Sequence, residues 1–251
     1  LFGFEEKAKE FHQATELNES HKFNIIKAYV EYLNRLWGAL TGLIVFICTL
    51  LSIQYFKYNW KVFFFTFLGF LAVFFNAMLG AVVVNSNLIG GIVTAHFIAA
   101  FAAISFFIIA YIYANNLSEL KIQTKKTSIA LILFISIQVI IGAFVRESYD
   151  SNYGIMSLNQ TIESLYPNLY YHGILGVIIM SLSILQLIRN PKNTEYMKYT
   201  KIIVLLSIAQ IIIGPLSLTE SFLAISKLLH ISFGAGIYVL QFYICASFLK
   251  P

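Results

Sequence analysis

Charge is scarce in this chain. Charged residues make up 12% of its 251 positions while hydrophobic residues make up 59%, and the mean hydropathy is +0.76. That balance excludes a soluble domain of this size. Cysteine is nearly absent as well: Cys48 and Cys245 lie in different apolar segments, which argues against a structural disulfide. The opening stretch is not expected to serve as a signal peptide or membrane anchor, because residues 4–22 read FEEKAKEFHQATELNESHK, with His12 and His21 expected to be solvated among those charges.

What the sequence has instead is long apolar runs. A hydrocarbon core about 30 Å thick needs roughly 20 apolar residues of helix, and seven stretches approach that length: 36–56, 62–84, 89–114, 128–145, 169–188, 202–218 and 224–249. The expected fold class is an all-α polytopic membrane bundle. Basic residues cluster in alternate connections, at Lys57 and Lys61, at Lys121, Lys125 and Lys126, at Arg189, Lys192, Lys198 and Lys201, and at Lys250. The positive-inside rule puts these in the cytoplasm together with the C-terminus. The N-terminus, the NSNLIGG turn at 85–91 and a loop spanning 147–167 are then extracytoplasmic, in a cell (inner) membrane. The net charge of +5 is accounted for by cytoplasmic loops beside anionic lipid and requires no nucleic acid. Trp37, Trp60 and the tyrosines near span ends fit an interfacial belt.

The segments repeat. LNRLWGAL around Asn34 aligns with YHGILGVI around His172, matching Asn34 to His172 and Gly38 to Gly176. NAMLG (Asn76 to Gly80) aligns with QIIIG (Gln210 to Gly214), and a histidine, His96 or His230, follows each glycine by sixteen residues. A third amide-xxx-glycine motif, QVIIG (Gln138 to Gly142), stands in the segment before His172 and has no counterpart before Asn34. The expected organisation is a polar leader and entry to the first span at 1–35, an N-terminal half-bundle at 36–126 lacking one helix at its front, and a C-terminal four-helix bundle at 127–251. On this reading the chain holds seven helices of eight in two pseudo-symmetric repeats, and is a fragment of something longer.

Asn34, His96, His172 and His230 fall at one level, near the segment ends expected to face outward. Ligand-capable residues are costly inside a bilayer, so such a layer points to function. Each has a small residue four positions on, Gly38, Ala100, Gly176 and Gly234, on the same helix face. A flat group such as a porphyrin would find room there; close approach of neighbouring helices would use the same residues. His172 and His230 can supply both axial positions of a haem iron, the alternatives being a proton relay or a hydrogen-bonded histidine. Glu31 precedes Asn34 by three residues, where a carboxylate at the rim of an apolar cavity could exchange protons with a bound reactant or simply reach interfacial water. Arg35, Arg146 and Lys227 lie on the side where the charge bias disfavours cations; haem propionates or lipid headgroups would pair with them.

These residues resemble the haem A synthase (CtaA-type) family of eight-helix membrane enzymes. The resemblance runs from the first span to the last and rests on Glu31-Tyr-Leu-Asn34-Arg35 against the family's Glu-x-x-His-Arg, the glycine-spaced amide helices, GAFVRE (Gly142 to Glu147), and the single histidines His96, His172 and His230. It implies a substrate haem O in the N-terminal half, facing His96 with Asn34 and Arg35 beside it, and a haem b ligated by His172 and His230 in the C-terminal half. Arg146 and Lys227 would meet propionates, and Glu31 would match the family's catalytic carboxylate. The implied reaction oxidises the C8 methyl of haem O to the formyl of haem A for terminal oxidase biogenesis, with oxygen from water. Its implied partners are the bilayer, a haem O synthase, an electron acceptor and a second copy of the chain. Asn34 departs from the family's histidine, which puts two-histidine ligation of the substrate iron in doubt, and the family's cysteine pair in the first outer loop is absent. Two other functions compete: a di-histidine membrane cytochrome b that leaves its porphyrin unmodified, and a repeat-built transporter, whose polar sites belong nearer the bilayer midplane.

Overall fold

A computed structural model describes residues 25–85, 91–115, 125–152, 155–189, 194–219 and 223–249. Among them the chain forms α1 (Ile25–Ser52), α2 (Trp60–Asn85), α3 (Ile92–Ala114), α4 (Lys125–Asn152), the short α5 (Leu158–Ser164), α6 (Asn168–Arg189), α7 (Thr194–Leu216) and α8 (Leu223–Ala246). Turns of 3-10 helix follow α1 and α8. All but α5 are long and apolar enough to cross a membrane, and the protein is a multi-pass membrane protein. Cys48 and Cys245 are free.

The chain divides into two units, residues 1–44 and 45–251. In the first, α1 presents Tyr29, Tyr32, Leu33, Leu36, Trp37, Leu40 and Leu43 exposed, an apolar surface suited to lipid. The second unit contains the helix-to-helix packing that positions a site. There α4, α6, α7 and α8 close a ring in which α4 packs on α6, α6 on α7, α7 on α8 and α8 back on α4. The diagonals are therefore α6 across from α8 and α4 across from α7. Helix α3 packs on α2 and reaches the ring through α4 and α8. On α8, Tyr238 takes the Phe101 ring edge-on at 4.6 Å between centroids and shares a 2.9 Å hydrogen bond with Ser105.

The ring's core is an isoleucine-rich layer of Leu131, Ile135, Ile179, Ile203, Ile237 and Ile244. Such residues pack densely without polar atoms to satisfy. Toward the Lys125 end of α4 the interior turns polar: Ser128, Ser183, Thr200 and Gln241 are fully buried. The Gln241 amide donates to the Ser128 carbonyl at 3.0 Å, and the Cys245 thiol donates to the same carbonyl at 3.2 Å. Interhelical bonds of this kind hold membrane bundles in register at roughly 0.6–2 kcal/mol each.

Two sequence expectations are corrected. The stretch 147–167 is largely helical, because α4 continues seven residues past Val145 and α5 follows. The extension is held by an i,i+4 Arg146–Asp150 ion pair and by Ser151 donating to the Glu147 carbonyl at 2.9 Å, local contacts that an apolar count does not register. A capping box then starts α5, with Ser157 and Gln160 bonding each other's backbone. Helix α1 begins at Ile25, eleven residues before the apolar run that marked it, because Lys27, Ala28, Glu31 and Leu33 have high helix propensity whether or not their segment is apolar. The NSNLIGG turn lies outside the described residues except for Asn85 and Gly91, the latter at φ 90°, where glycine carries no Cβ penalty.

Candidate functional site

His172 on α6 and His230 on α8 face each other across the ring's diagonal, with ring centroids 6.0 Å apart and planes at 54°. The other diagonal carries the amide-xxx-glycine motifs, Gln138 and Gly142 on α4 and Gln210 and Gly214 on α7. Each histidine leans on the glycine of the helix before it. An added Cβ at Gly142 would stand 2.8 Å from His172 Cε1, and one at Gly214 would stand 3.3 Å from His230 Cε1. The amide one turn away completes the cradle: Gln138 Nε2 donates to the His172 carbonyl at 3.0 Å, and Gln210 Nε2 donates to the His230 carbonyl at 2.6 Å. Gln138 Nε2 also lies 3.3 Å from His172 Nε2.

The cradle is reciprocal. An added Cβ at Gly176 would meet Gln138 Nε2 at 3.5 Å, and one at Gly234 would meet Gln210 Nε2 at 3.1 Å. The glycine following each histidine thus receives a neighbouring glutamine, the use of small residues that brings helices close. The repeat seen in the sequence has a counterpart in space. His96 on α3 stands over Gly80 on α2, with a 3.4 Å distance from its Cε1 to an added Cβ. Its Nδ1 lies 3.1 Å from the Asn76 carbonyl. A ring N–H bonded to a carbonyl sets the tautomer and leaves Nε2 the basic nitrogen.

Gly142→Ala puts a methyl group against a ring that cannot yield without leaving its cradle, and is expected to destabilise the folded bundle by about 1–3 kcal/mol. Gly80→Ala and Gly214→Ala, with 3.4 and 3.3 Å available, should cost visibly less. Detergent-to-SDS unfolding of the three variants checks the order, and equal losses would contradict the cradle.

The pair is half-buried, and buried polar atoms in and around it lack partners. His172 Nδ1, His230 Nδ1, Gln138 Oε1 and Gln210 Oε1 have no hydrogen-bond partner among the described residues, nor does Asn76 Oδ1 in the other half. Buried polar atoms are seldom left so unless something else satisfies them. No group of three or more histidine, cysteine, aspartate or glutamate side chains able to hold a metal ion occurs among the described residues.

One turn from the histidines lie the two cations singled out in the sequence. Arg146 Nε pairs with Asp150 Oδ2 at 2.5 Å, and Lys227 Nζ lies 3.8 Å from Asp150 Oδ1 and 3.7 Å from the Tyr149 ring centroid. The partner present is thus a carboxylate of the chain itself. Asp150 was missed in the sequence although its i+4 spacing from Arg146 was a readable signal. Glu147 was quoted there only as part of a motif. Its carboxylate, 7% exposed, accepts from the Gly91 N–H and, at 2.7 Å, from the Thr94 hydroxyl. It thereby caps the start of the helix that carries His96.

Asn34 and Arg35 belong to the first unit, as exposed side chains on α1. Glu31 lies on the same helix, three residues before Asn34, and its side chain falls outside the described residues. The structure therefore assembles His172 with His230, and Arg146 with Lys227.

The comparisons complete this picture. No curated protein and no solved structure matches the chain. The family model COX15-CtaA, cytochrome oxidase assembly protein, matches residues 3–172, a stretch that takes in α1 to α5 and ends on His172 itself. With that match spanning more than half of its length, the chain belongs to the COX15-CtaA family of cytochrome oxidase assembly proteins.

Proposed function

We propose that the protein is a haem A synthase, which oxidises the C8 methyl of haem O to a formyl group and holds a haem b in its C-terminal bundle. Family membership gives it a role in cytochrome oxidase assembly, in haem A synthesis. The observation that carries the finer reading is the pair His172 and His230. Two imidazole nitrogens at about 2 Å on opposite sides of one metal put ring centroids about 6 Å apart, and these stand at 6.0 Å. A donor set of two suits a metal whose other positions are filled by a macrocycle, as in bis-imidazole haem. The residues fit the group.

Conversion of a methyl to a formyl group with water releases four protons and four electrons, the electrons passing to an external acceptor, and haem b bound there would supply one-electron transfer. The chain's own residues do the rest. Gln138 and Gln210 hold the backbone of each histidine, and the glycines beneath fix where each ring stands, so the pair is organised before any ligand arrives. In the N-terminal half His96, its Nδ1 engaged by the Asn76 carbonyl, would present Nε2 to the substrate haem. Glu31 would take protons from the reacting carbon and the attacking water.

Full-length protein produced together with a haem O synthase is expected to yield haem A by mass spectrometry. Glu31→Gln should lower that yield by about 100-fold, the scale of a lost general base. Haem O that accumulates unchanged beside intact protein would overturn the synthase reading and leave a di-histidine cytochrome b.

A further inference from the structure

We propose that the C-terminal bundle binds a small cluster of water molecules at the end opposite the histidine pair, in a chamber formed by one polar side chain from each of its four helices: Ser128, Gln186, Thr200 and Gln241. The site is independent of the haem reading.

Helix register brings the four residues to one level. Gln138 lies against Gly176 and Gln210 against Gly234. Ten residues further from the histidines, the same antiparallel registers set Ser128 on α4 level with Gln186 on α6, and Thr200 on α7 level with Ile244 on α8, within one turn of Gln241. A bond joins two of them directly, since the Gln241 amide donates to the Ser128 carbonyl at 3.0 Å. All four residues are 0% exposed. Gln241 stands eleven residues beyond His230, ~16 Å along α8. On every helix of the ring a buried isoleucine lies between the two levels: Ile135, Ile179, Ile203 and Ile237. The core therefore runs polar, apolar, polar along its length, and the apolar layer separates water in the chamber from the histidines.

Three atoms of the chamber have no hydrogen-bond partner among the described residues: Ser128 Oγ, Thr200 Oγ1 and Gln241 Oε1. Leaving such atoms bare in a closed interior is costly. The Ser128 carbonyl cannot serve them, because it accepts and does not donate, and it already receives the Gln241 amide and the Cys245 thiol. Their chemistry selects the occupant. Two hydroxyls donate or accept and the glutamine oxygen accepts, so a small molecule that both donates and accepts satisfies all three. A cation would need a charge to offset it, and the carboxylate buried among the described residues, Glu147, lies near the other end of α4. Water fits, with two to four polar partners its usual requirement in an interior.

The sign of an isosteric substitution tests the chamber. Thr200→Val deletes the hydroxyl and keeps the shape. With water bonded to Thr200 Oγ1, the unfolding equilibrium constant in SDS titration should rise by about fivefold. A bare hydroxyl would instead be relieved by the change, so a constant that falls or stays the same overturns the proposal. Ser128→Ala should act in the same direction, and the double variant should lose less than the two single losses combined, because both remove partners of the same water. Hydroxyl-radical labelling in isotopically heavy water reads the occupant itself. Tyr196 is fully buried one turn before Thr200 on the same face, and should take up heavy oxygen in the purified full-length protein, with Tyr58, 89% exposed, as the reference for bulk solvent. The double variant should lose most of the Tyr196 label and keep that of Tyr58. A wild-type Tyr196 without label overturns the chamber even if a variant does not fold. So does dependence of either readout on sodium at constant ionic strength, which would assign these oxygens to a cation.

Discussion

His172→Ala and His230→Ala should each abolish the low-spin haem b spectrum that the purified wild-type protein is expected to show, while His96→Ala leaves it in place. The pair stands on one diagonal of the ring, and among the described residues no group of three or more histidine, cysteine, aspartate or glutamate side chains stands ready to replace either: His172 is in contact with the Gln138 amide and the Gly142 backbone. An alanine at either position would remove one of the two residues that would hold the haem, which would change its spectrum as well as its affinity. Visible spectra of the reduced and oxidised forms check the result. Because alanine removes a half-buried polar ring rather than creating an unpaired one, the bundle itself should survive, and unfolding curves separate loss of haem from loss of fold. A colourless wild type from haem-replete cells would sink both the synthase and the cytochrome readings.

Glu147→Ala carries the largest expected effect on stability, a loss of about 3 kcal/mol. Its carboxylate accepts from the backbone of Gly91 and from the hydroxyl of Thr94, so it joins the end of α4 to the start of α3. Truncation leaves the buried Thr94 hydroxyl without this acceptor, frees the Gly91 N–H, and removes a negative charge from a helix N-terminus. Glu147→Gln, with a single acceptor oxygen, should lose less. Thr94→Val, which removes one bond and keeps the shape, should lose about 1 kcal/mol. SDS-titration unfolding tests the series Ala > Gln > Val; equal stability across it would show that the contact contributes nothing. The haem b spectrum should persist in all three, since His172 and His230 lie on other helices.

The membrane class, the seven apolar helices and the helices that carry the histidines were legible in the sequence because each follows from local composition or from spacing along a helix. Hydrocarbon thickness turns an apolar run into a span, and a cost on intramembrane polar groups makes His96, His172 and His230 conspicuous. The repeat, read from the sixteen-residue interval between each glycine and the next histidine, reappears as the contacts of His96 with Gly80 and of His230 with Gly214. Less was legible beyond the apolar runs: 147–167 read as a loop because its helices are stabilised by Arg146–Asp150 and by the Ser157–Gln160 cap, contacts whose signals are short and local.

Composition and periodicity determine that seven helices among the described residues are long and apolar enough to cross a membrane, and which helix carries each histidine, since a segment's transfer into hydrocarbon and its face spacing are properties of that segment alone. Which helices become neighbours is another matter. The order of the ring puts His172 opposite His230, sets Gln138 and Gln210 on the other diagonal, and brings Lys227 to Asp150. These are contacts between residues far apart in sequence, and they arise from how four helices pack against one another.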